Sequence, residues 1–162
     1  MIGRKIFWIA CLATLASASV LAAEEKIVLA PVFFGKGSIG FLNVGTVSGG
    51  FHNKTVWTVW VNSPPAMVDS YRTRVEVMQM AFDCGKKAFQ IRFVRLFDDN
   101  ANVLVATPFG ADAPFTPTNP KSGEAQMEAS VCGAPPRGYK PLHSIPDAVA
   151  VTKALFKDQP QK

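Results

Sequence analysis

The amino-acid sequence predicts an α+β domain, in which about six antiparallel strands form one sheet and a disulfide tethers a short helix to one face. Three observations lead to this fold class. The stretch from Tyr71 to Phe97 alternates apolar and polar residues on both sides of a Gly-Lys pair. Two cysteines, Cys84 and Cys132, lie beyond the N-terminal leader. Two later segments have the residue spacing of helices, and the second of them predicts a C-terminal helix.

The first 23 residues have the form of a secretory signal peptide. Arg4 and Lys5 precede an apolar run from Ile6 to Val20, and small residues around Ala22 offer a cleavage site. A membrane anchor is the alternative, but the run is short and rich in alanine and serine. Removal of residues 1–23 lowers the net charge from +5 to +3, too little to imply nucleic-acid binding. We expect an exported protein, periplasmic or at the cell surface or secreted, without a transmembrane helix after cleavage.

Glycine-rich residues 24–54 are expected to form short strands at 26–34 and 40–47, separated by turns. The segment from Gly35 to Gly40 spells GxGxxG. That motif needs a following helix to bind a nucleotide, whereas the residues after it are strand-like. The glycines are therefore interpreted as turn residues.

Thr55–Asn62 is the clearest single strand, because it is rich in β-branched and aromatic residues. Its two tryptophans, Trp57 and Trp60, fit core packing, and a ligand-stacking platform is the alternative. Pro64 and Pro65 are expected to end the strand, since proline cannot donate to the ladder of backbone hydrogen bonds.

Residues Tyr71–Phe97 predict a ribbon of two antiparallel strands. A type II′ turn at Gly85-Lys86 suits the fold-back, since its first central position needs a positive φ. This turn predicts the following pairs on a Met/Phe face: Phe82 with Phe89, Met80 with Ile91, Met78 with Phe93, and Glu76 with Arg95. The predicted pairs on the other face include Val77 with Val94 and Val75 with Leu96.

A second turn is expected at Asp99-Asn100, leading into a strand at 102–107 that places Val103 beside Leu96. Asp98 and Asp99 are adjacent acids without the alternating spacing of a calcium loop. We interpret these two acids as part of the turn of a β-hairpin and expect no metal site.

Cys84 and Cys132 are an even pair in an exported chain, so a disulfide is the expected state. A reactive thiol at Cys84, encouraged by nearby Lys86 and Lys87, is the alternative. Cys84 lies at the turn on the Met/Phe face, so the segment ending at Cys132 should be pinned across that face.

The segment before Cys132 predicts a short helix. Ser122 is a suitable N-cap, Glu124 falls in the first turn, and Gly133 follows the end. Residues 24–133 would form the sheet-plus-helix domain.

Residues 134–162 form a C-terminal extension with a helix expected near 145–157. Ser144 is the N-cap in this prediction and Asp147 lies at the third helical position. The apolar side of the helix could bind a partner or a membrane surface, or it could pack on its own domain.

Catalytic motifs are lacking in the sequence. His52 and His143 stand in loop contexts, and HExxH, GxSxG, CxxC and SxxK do not occur. We expect a non-catalytic protein without a cofactor. An exported hydrolase that uses one of the two histidines with a serine is the alternative.

A set of motifs resembles a known family. Tyr71-Arg72-x-Arg74 leads into Phe82-Asp83-Cys84, and a proline, a serine and a final Val-Cys pair mark residues 120–132. Over residues 31–133 this order is similar to the surface-adhesin protein E-like family of small bacterial envelope proteins. The resemblance implies an antiparallel sheet with a helix tethered to its concave face, and adhesion to host matrix or serum proteins.

The sequence thus favours an exported, non-catalytic binding protein with a protein partner. Candidate contacts are the cations that flank the ribbon, which are Arg72, Arg74, Lys86, Lys87 and Arg92. Ordinary solubilising charge is their alternative role. A second hypothesis is a periplasmic structural or accessory protein whose C-terminal helix docks an envelope partner.

Overall fold

One antiparallel sheet organises the computed structural model, which describes residues 27–134 and 136–156. The strands are β1 (Leu29–Phe34), β2 (Ser38–Asn43), β3 (Lys54–Val68), β4 (Tyr71–Asp83), β5 (Ala88–Phe97), β6 (Val103–Pro108) and β7 (Thr116–Pro117). β1 to β6 follow one another in the sheet, and β7 also pairs with β5. The helices are α1 (Gly123–Cys132) and α2 (Ile145–Phe156), and a single 3₁₀ turn covers Val44–Thr46. The α+β class is confirmed, whereas the predicted signal peptide lies outside the described residues.

Side chains alternate along each strand, so the sheet has two faces. One helix packs on each of these faces. α1 packs on the Met/Phe face, whose buried strand residues are Leu42, Val56, Met78, Met80 and Phe82. α2 packs on the other face, here called the valine face, whose buried strand residues are Leu29, Ile39, Phe41, Val59, Val61 and Val75. The prediction that the first helix covers the Met/Phe face is therefore confirmed.

The predicted register of the β4–β5 ribbon is correct near its turn and wrong beyond it. Phe82 pairs with Phe89 and Met80 with Ile91, as expected. A β-bulge then shifts the pairing between Gln79 and Met80. The pairs observed beyond it are Gln79 with Phe93, Met78 with Val94, Val77 with Arg95, Glu76 with Leu96, and Val75 with Phe97. A bulge adds one residue to one strand, so every later partner moves by one position.

The turn itself also differs from the type II′ prediction. β4 ends at Asp83 and β5 begins at Ala88, so four residues form the connection. The positive φ of 50° belongs to Lys87 rather than to Gly85. The Asp83 carboxylate accepts hydrogen bonds from the backbone amides of Gly85 and Lys86, at 3.0 and 3.1 Å. This side-chain bridge favours the longer turn, because an aspartate can substitute for a backbone acceptor.

Pro64 and Pro65 do not end β3, contrary to the prediction. The strand continues to Val68 and pairs again with β4 from Ala66 onward. The pairing is interrupted between Val61 and Ala66, and the Ser63–Pro64 peptide bond is cis. Proline is tolerated there because the two residues sit where the ladder of backbone hydrogen bonds is broken.

The outer strands also differ in detail from the prediction. β2 stops at Asn43 and a 3₁₀ turn follows it, where a strand to residue 47 was expected. Val103 pairs with Phe97, and Leu96 pairs with Val105, because a second bulge lies between Leu96 and Phe97. The alternation of apolar residues contains no mark of either bulge.

α1 is fixed at both ends. At its start, the Ser122 hydroxyl oxygen accepts from the backbone amide of Ala125 at 3.3 Å, which confirms the predicted N-cap. At its end, Cys132 is joined to Cys84 by the predicted disulfide, with 5.5 Å between the two Cα atoms. The Lys54 ammonium of β3 also donates to the carbonyl of Val131 at 3.0 Å, which satisfies one of the open carbonyls of the last turn.

Gly123 lets the first turn of α1 approach the sheet closely. A Cβ atom at this position would lie 2.3 Å from Cη2 of Trp60, and 3.1 Å from the ring of Phe33. Trp60 and Phe33 themselves pack with ring centroids 5.3 Å apart. The glycine therefore sits against the six-membered ring of the indole, and no side chain fits at this position between helix and sheet.

The two tryptophans of β3 serve opposite faces. Trp60 packs under α1 on the Met/Phe face, whereas Trp57 contacts Phe93 edge-on at 5.7 Å. Residues three apart in a strand point in opposite directions. The two indoles therefore form no common stacking platform.

α2 completes the valine face. The Ser144 hydroxyl oxygen accepts from the amide of Asp147 at 3.1 Å, which confirms the predicted cap. Ala148 and Thr152 are buried, while the apolar residues Val151 and Leu155 face solvent. Packing on its own domain was one of the two expectations for this helix. Removal of the chain after residue 133 would therefore uncover the apolar residues of the valine face.

We predict that Gly123→Ala destabilises the protein by about 1–3 kcal/mol, because the added methyl group would overpack against Trp60. In an ordinary solvated helix position the same change would stabilise by up to about 1 kcal/mol. Urea unfolding with the disulfide intact measures the difference.

Gly50→Ala is the matched control, since its Cβ would meet nothing within 4 Å. Its free energy of unfolding should change by no more than about 0.5 kcal/mol. A Gly123→Ala protein as stable as the wild type would contradict the close approach.

Candidate binding surfaces

The hairpin between β3 and β4 projects beyond the rest of the sheet. β2 pairs with β3 no further than Asn62, and β5 pairs with β4 no further than Val75. Residues 66–73 pair with each other across the hairpin, and no described strand flanks them. We call residues 66–73 the hairpin tip. Asp69 adopts a positive φ of 52° in its tight turn.

The hairpin tip carries large side chains that face solvent. Met67 is 66% exposed and Tyr71 is 39% exposed, and Arg72 is exposed beside them. Met67 pairs with Arg72, and Tyr71 pairs with Val68, so Met67 and Tyr71 lie on opposite faces of the tip. Sequence reasoning selected Arg72 but missed Met67 and Tyr71, because the prolines were read as the end of the strand.

Arg74 is not an exposed cation, contrary to the prediction. It is 3% exposed, and its guanidinium donates from Nε to the carboxylate of Asp99 at 2.5 Å and from Nη1 to the carbonyl of Asn62 at 2.7 Å. A buried arginine needs such partners, because an unpaired buried charge is costly. Arg74 therefore holds the β5–β6 turn against β3 and does not contribute to a surface.

The remaining predicted cations lie apart from one another. Lys86 and Lys87 are exposed in the β4–β5 turn. Arg92 is half-buried at the bulge and donates to the side chains of Gln90, at 3.1 Å, and Asn53, at 2.7 Å. β4 has 13 residues, so its two ends lie about 40 Å apart. Arg72 at one end and the two lysines at the other cannot form a single patch.

A buried carboxylate organises the basic turn. Asp83 accepts from the amides of Gly85 and Lys86, and its Oδ1 lies 3.0 Å from Nδ1 of His52. The hydrogen bond with His52, followed by the two amides, holds the pKa of Asp83 below its usual range. The Lys86 ammonium lies 3.7 Å from the same carboxylate.

Glu76 is a second perturbed carboxylate, on the Met/Phe face. Burial raises its pKa, the hydrogen bond from Asn62 at 3.0 Å partly opposes that rise, and the charge of Glu124 adds to it. The ionised form of Glu76 is therefore disfavoured at this position beside the start of α1, and no cation among the described residues pairs with it.

The histidines occupy different surroundings. His52 contacts the Asp83 carboxylate, while Nδ1 of His143 lies 3.2 Å from the carbonyl of Ile27. Neither imidazole is hydrogen-bonded to a serine within the described residues. In residues 27–134 and 136–156 there is also no cluster of three or more His, Cys, Asp or Glu side chains that could hold a metal ion.

An apolar cleft of about 510 Å³ separates α2 from the end of the ribbon. Val75 and Phe97 form one wall, and Ile145 and Val149 form the other. Asp99 stands at the rim and pairs with Lys153 at 3.7 Å.

Neither helix in the described part of the chain is long and apolar enough to cross a membrane.

Comparisons with protein-family models, with curated proteins and with solved structures find no match for this chain. The similarity to the surface-adhesin protein E-like family accordingly stays a prediction, based on the motifs at 82–84 and 120–132. The fold class and the disulfide are established by the coordinates.

We predict that His52→Ala raises the pKa of Asp83 toward its usual range, because the strongest lowering interaction is removed. A lowered pKa stabilises the folded state above the unfolded-state value of about 4, and this contribution is lost as the pH falls through the folded-state value. His52→Ala should therefore lower the free energy of unfolding at neutral pH and flatten its acid dependence.

Carbon-13 NMR titration of the Asp83 carboxyl, together with urea unfolding from about pH 2 to pH 7, makes this measurement. His143→Ala is the control and should leave the Asp83 midpoint in place. An identical midpoint in wild type and His52→Ala would refute the role of His52.

Proposed function

We propose that this chain is an exported, non-catalytic binding protein whose partner is another protein. In its more specific form the proposal is adhesion to host matrix or serum proteins, as the family resemblance implies. The disulfide supports export, because such bonds persist in oxidising compartments. One observation carries the binding function, namely the hairpin tip, which extends beyond the pairing of β2 with β3 and of β5 with β4.

The composition of the hairpin tip favours a protein partner. Tyrosine, methionine and arginine are enriched in protein interfaces, and tyrosine and arginine dominate the residues that carry most binding energy. Met67 and Tyr71 expose apolar surface to water here, and coverage by a partner would remove that surface from solvent. Since the two side chains lie on opposite faces, the tip is suited to insertion into a groove.

The basic turn is a separate candidate contact. Lys86 and Lys87 would favour an acidic partner, and screening by salt would weaken that attraction. The distance between turn and tip means that a small partner would contact one of them, and an extended partner could contact both. Each end therefore needs its own variant.

The alternative function is that of a periplasmic accessory protein that docks an envelope partner. The outer side of α2 favours this reading, because Leu155 is exposed and Val151 lies beside it at helical spacing. The apolar cleft next to α2 adds to this surface. Digestion of intact cells with an added protease separates the two functions, since a protein that faces the periplasm is protected and cannot adhere to a host.

We expect the double variant Met67→Ser/Tyr71→Ser to bind immobilised serum or basement-membrane proteins about tenfold more weakly than the wild type, or weaker still. Val103→Ser is the matched control, because Val103 is an exposed apolar residue of β6 and is not part of the hairpin tip. Equal binding of the double variant and the wild type would exclude the hairpin tip as the contact.

A second double variant, Lys86→Glu/Lys87→Glu, tests the basic turn. Binding to an acidic partner should weaken, and its dependence on salt concentration should flatten. Unchanged binding at low salt would remove this turn from the interface. If the wild type binds neither the serum proteins nor the basement-membrane proteins, and if it is protected from protease in intact cells, the accessory function is favoured.

A further inference from the structure

A second cleft lies beside the disulfide, on the side of the molecule opposite to the hairpin tip. It has a volume of about 510 Å³ and opens to solvent between α1, the β4–β5 turn and the chain around residues 118–120. The Cys84–Cys132 bond forms part of its wall. The size is within the range of small-ligand sites, which is about 300–1,000 Å³.

Glu128 of α1 lines this cleft and is unusual in its burial. It is 8% exposed, and its carboxylate has no hydrogen bond or ion pair within the described residues. Most of the side chain is covered, whereas the carboxylate oxygens are not among the fully buried atoms without a partner. The carboxylate therefore reaches the solvent of the cleft and is open to a ligand. Met127 and Val131 make the contacts of α1 with the sheet, so packing does not require an acid at position 128.

Thr118 also lines the cleft, and its hydroxyl is enclosed in the cleft wall. Its Oγ1 is buried without a hydrogen-bond partner, while its backbone amide donates to the carbonyl of Lys87 at 2.9 Å. The backbone bond holds Thr118 against the turn. Buried polar groups are nearly always satisfied, so the unpartnered hydroxyl of Thr118 in the cleft wall is uncommon.

The electrostatics of the cleft favour a cation as that partner. Glu128 can only accept hydrogen bonds when its carboxylate is ionised. Cys132 and Gly133 at the end of α1 also line the cleft, and the C-terminal end of a helix attracts positive charge. α1 has no basic residue of its own in the last turn, and Lys54 of β3 already donates to the carbonyl of Val131 there.

The remaining walls define the rest of the ligand. Phe51, Pro120, Ala125 and Ala129 present apolar surface, which suits an aliphatic stem. Lys87 is exposed at the mouth, where it would attract a carbonyl or carboxylate and repel a second cation. We propose that this cleft binds an ammonium or guanidinium group on an aliphatic stem, as in a lysine or arginine residue. The site is independent of the hairpin tip and of the proposed function.

Two sources provide this chemistry, namely a basic side chain of another protein and a free amine. Acetyl-lysine methylamide and acetyl-arginine methylamide represent the side chain within a peptide, and n-butylamine represents the free amine. Peptide probes that bind more tightly than n-butylamine would identify a peptide source, since Lys87 would contact their carbonyl groups. The negative control is the same lysine probe with a second acetyl group on the side-chain Nε, which removes the positive charge.

Titration of the full exported chain by ¹⁵N NMR makes the test. The cationic probes should shift the amides of Thr118, Ala125 and Ala129, and Glu128→Gln should weaken binding about ten- to hundredfold, as expected for loss of a charged hydrogen-bond partner. Glu124→Gln is the matched control, because Glu124 lies on the same helix and does not line the cleft. Its affinity should equal that of the wild type.

Urea unfolding keeps this test independent of folding. Glu128→Gln should be about as stable as the wild type without ligand, because no described residue bonds to the carboxylate that the change removes. A stable Glu128→Gln protein that binds the probes as well as the wild type would overturn the proposal. Absence of amide shifts in the wild type at millimolar probe would overturn it too, and would leave water as the occupant of the cleft.

Discussion

The covalent bond between Cys84 and Cys132 is the constraint on which the position of α1 depends. It joins residues 48 apart in the chain, and a closed loop of that length contributes about 4 kcal/mol in the chain-entropy model. The buried contact of α1 with the sheet is narrow, since Met127 and Val131 supply its apolar side chains. The disulfide compensates for this narrow contact, and it also brings the end of the helix to the β4–β5 turn, where the cleft with Glu128 forms.

At the other end of α1, close approach takes the place of covalent attachment. Gly123 lies against the indole of Trp60, and Ser122 caps the first turn. At the disulfide end, Lys54 of β3 adds a hydrogen bond to the carbonyl of Val131. The helix is thus held by contacts at its two termini, with few apolar contacts between them.

The fold class, the disulfide and both helices could be predicted because each depends on local patterns or on a single pair of cysteines. The register near the turn followed from the alternation between Met80 and Phe89, and it held until the bulge. Bulges leave no trace in alternation, since the unpaired residue is chosen by packing on both faces. The prediction that Pro64 and Pro65 end β3 was wrong for a related reason. The break in pairing between Val61 and Ala66, which accommodates them, is a property of the assembled sheet.

The candidate surfaces were less predictable. A cation such as Arg74 looks exposed in the sequence, and its burial depends on Asp99, which is 25 residues away. In the sequence, Glu128 and Thr118 are ordinary polar residues of a helix and a loop. Only the folded structure, with its disulfide, shows that they line the same cleft. Gly123 offered the one readable signal, since a glycine directly after an N-cap serine is a poor helix former and indicates a close contact.

Hydrogen exchange in a Cys84→Ser/Cys132→Ser protein tests most directly whether the disulfide holds α1 in place. If it does, the amides of α1 lose most of their protection, while those of β3 and β4 remain protected in the same sample. Protection of α1 equal to that in the disulfide-bonded protein would contradict the account, because noncovalent packing alone would then position the helix.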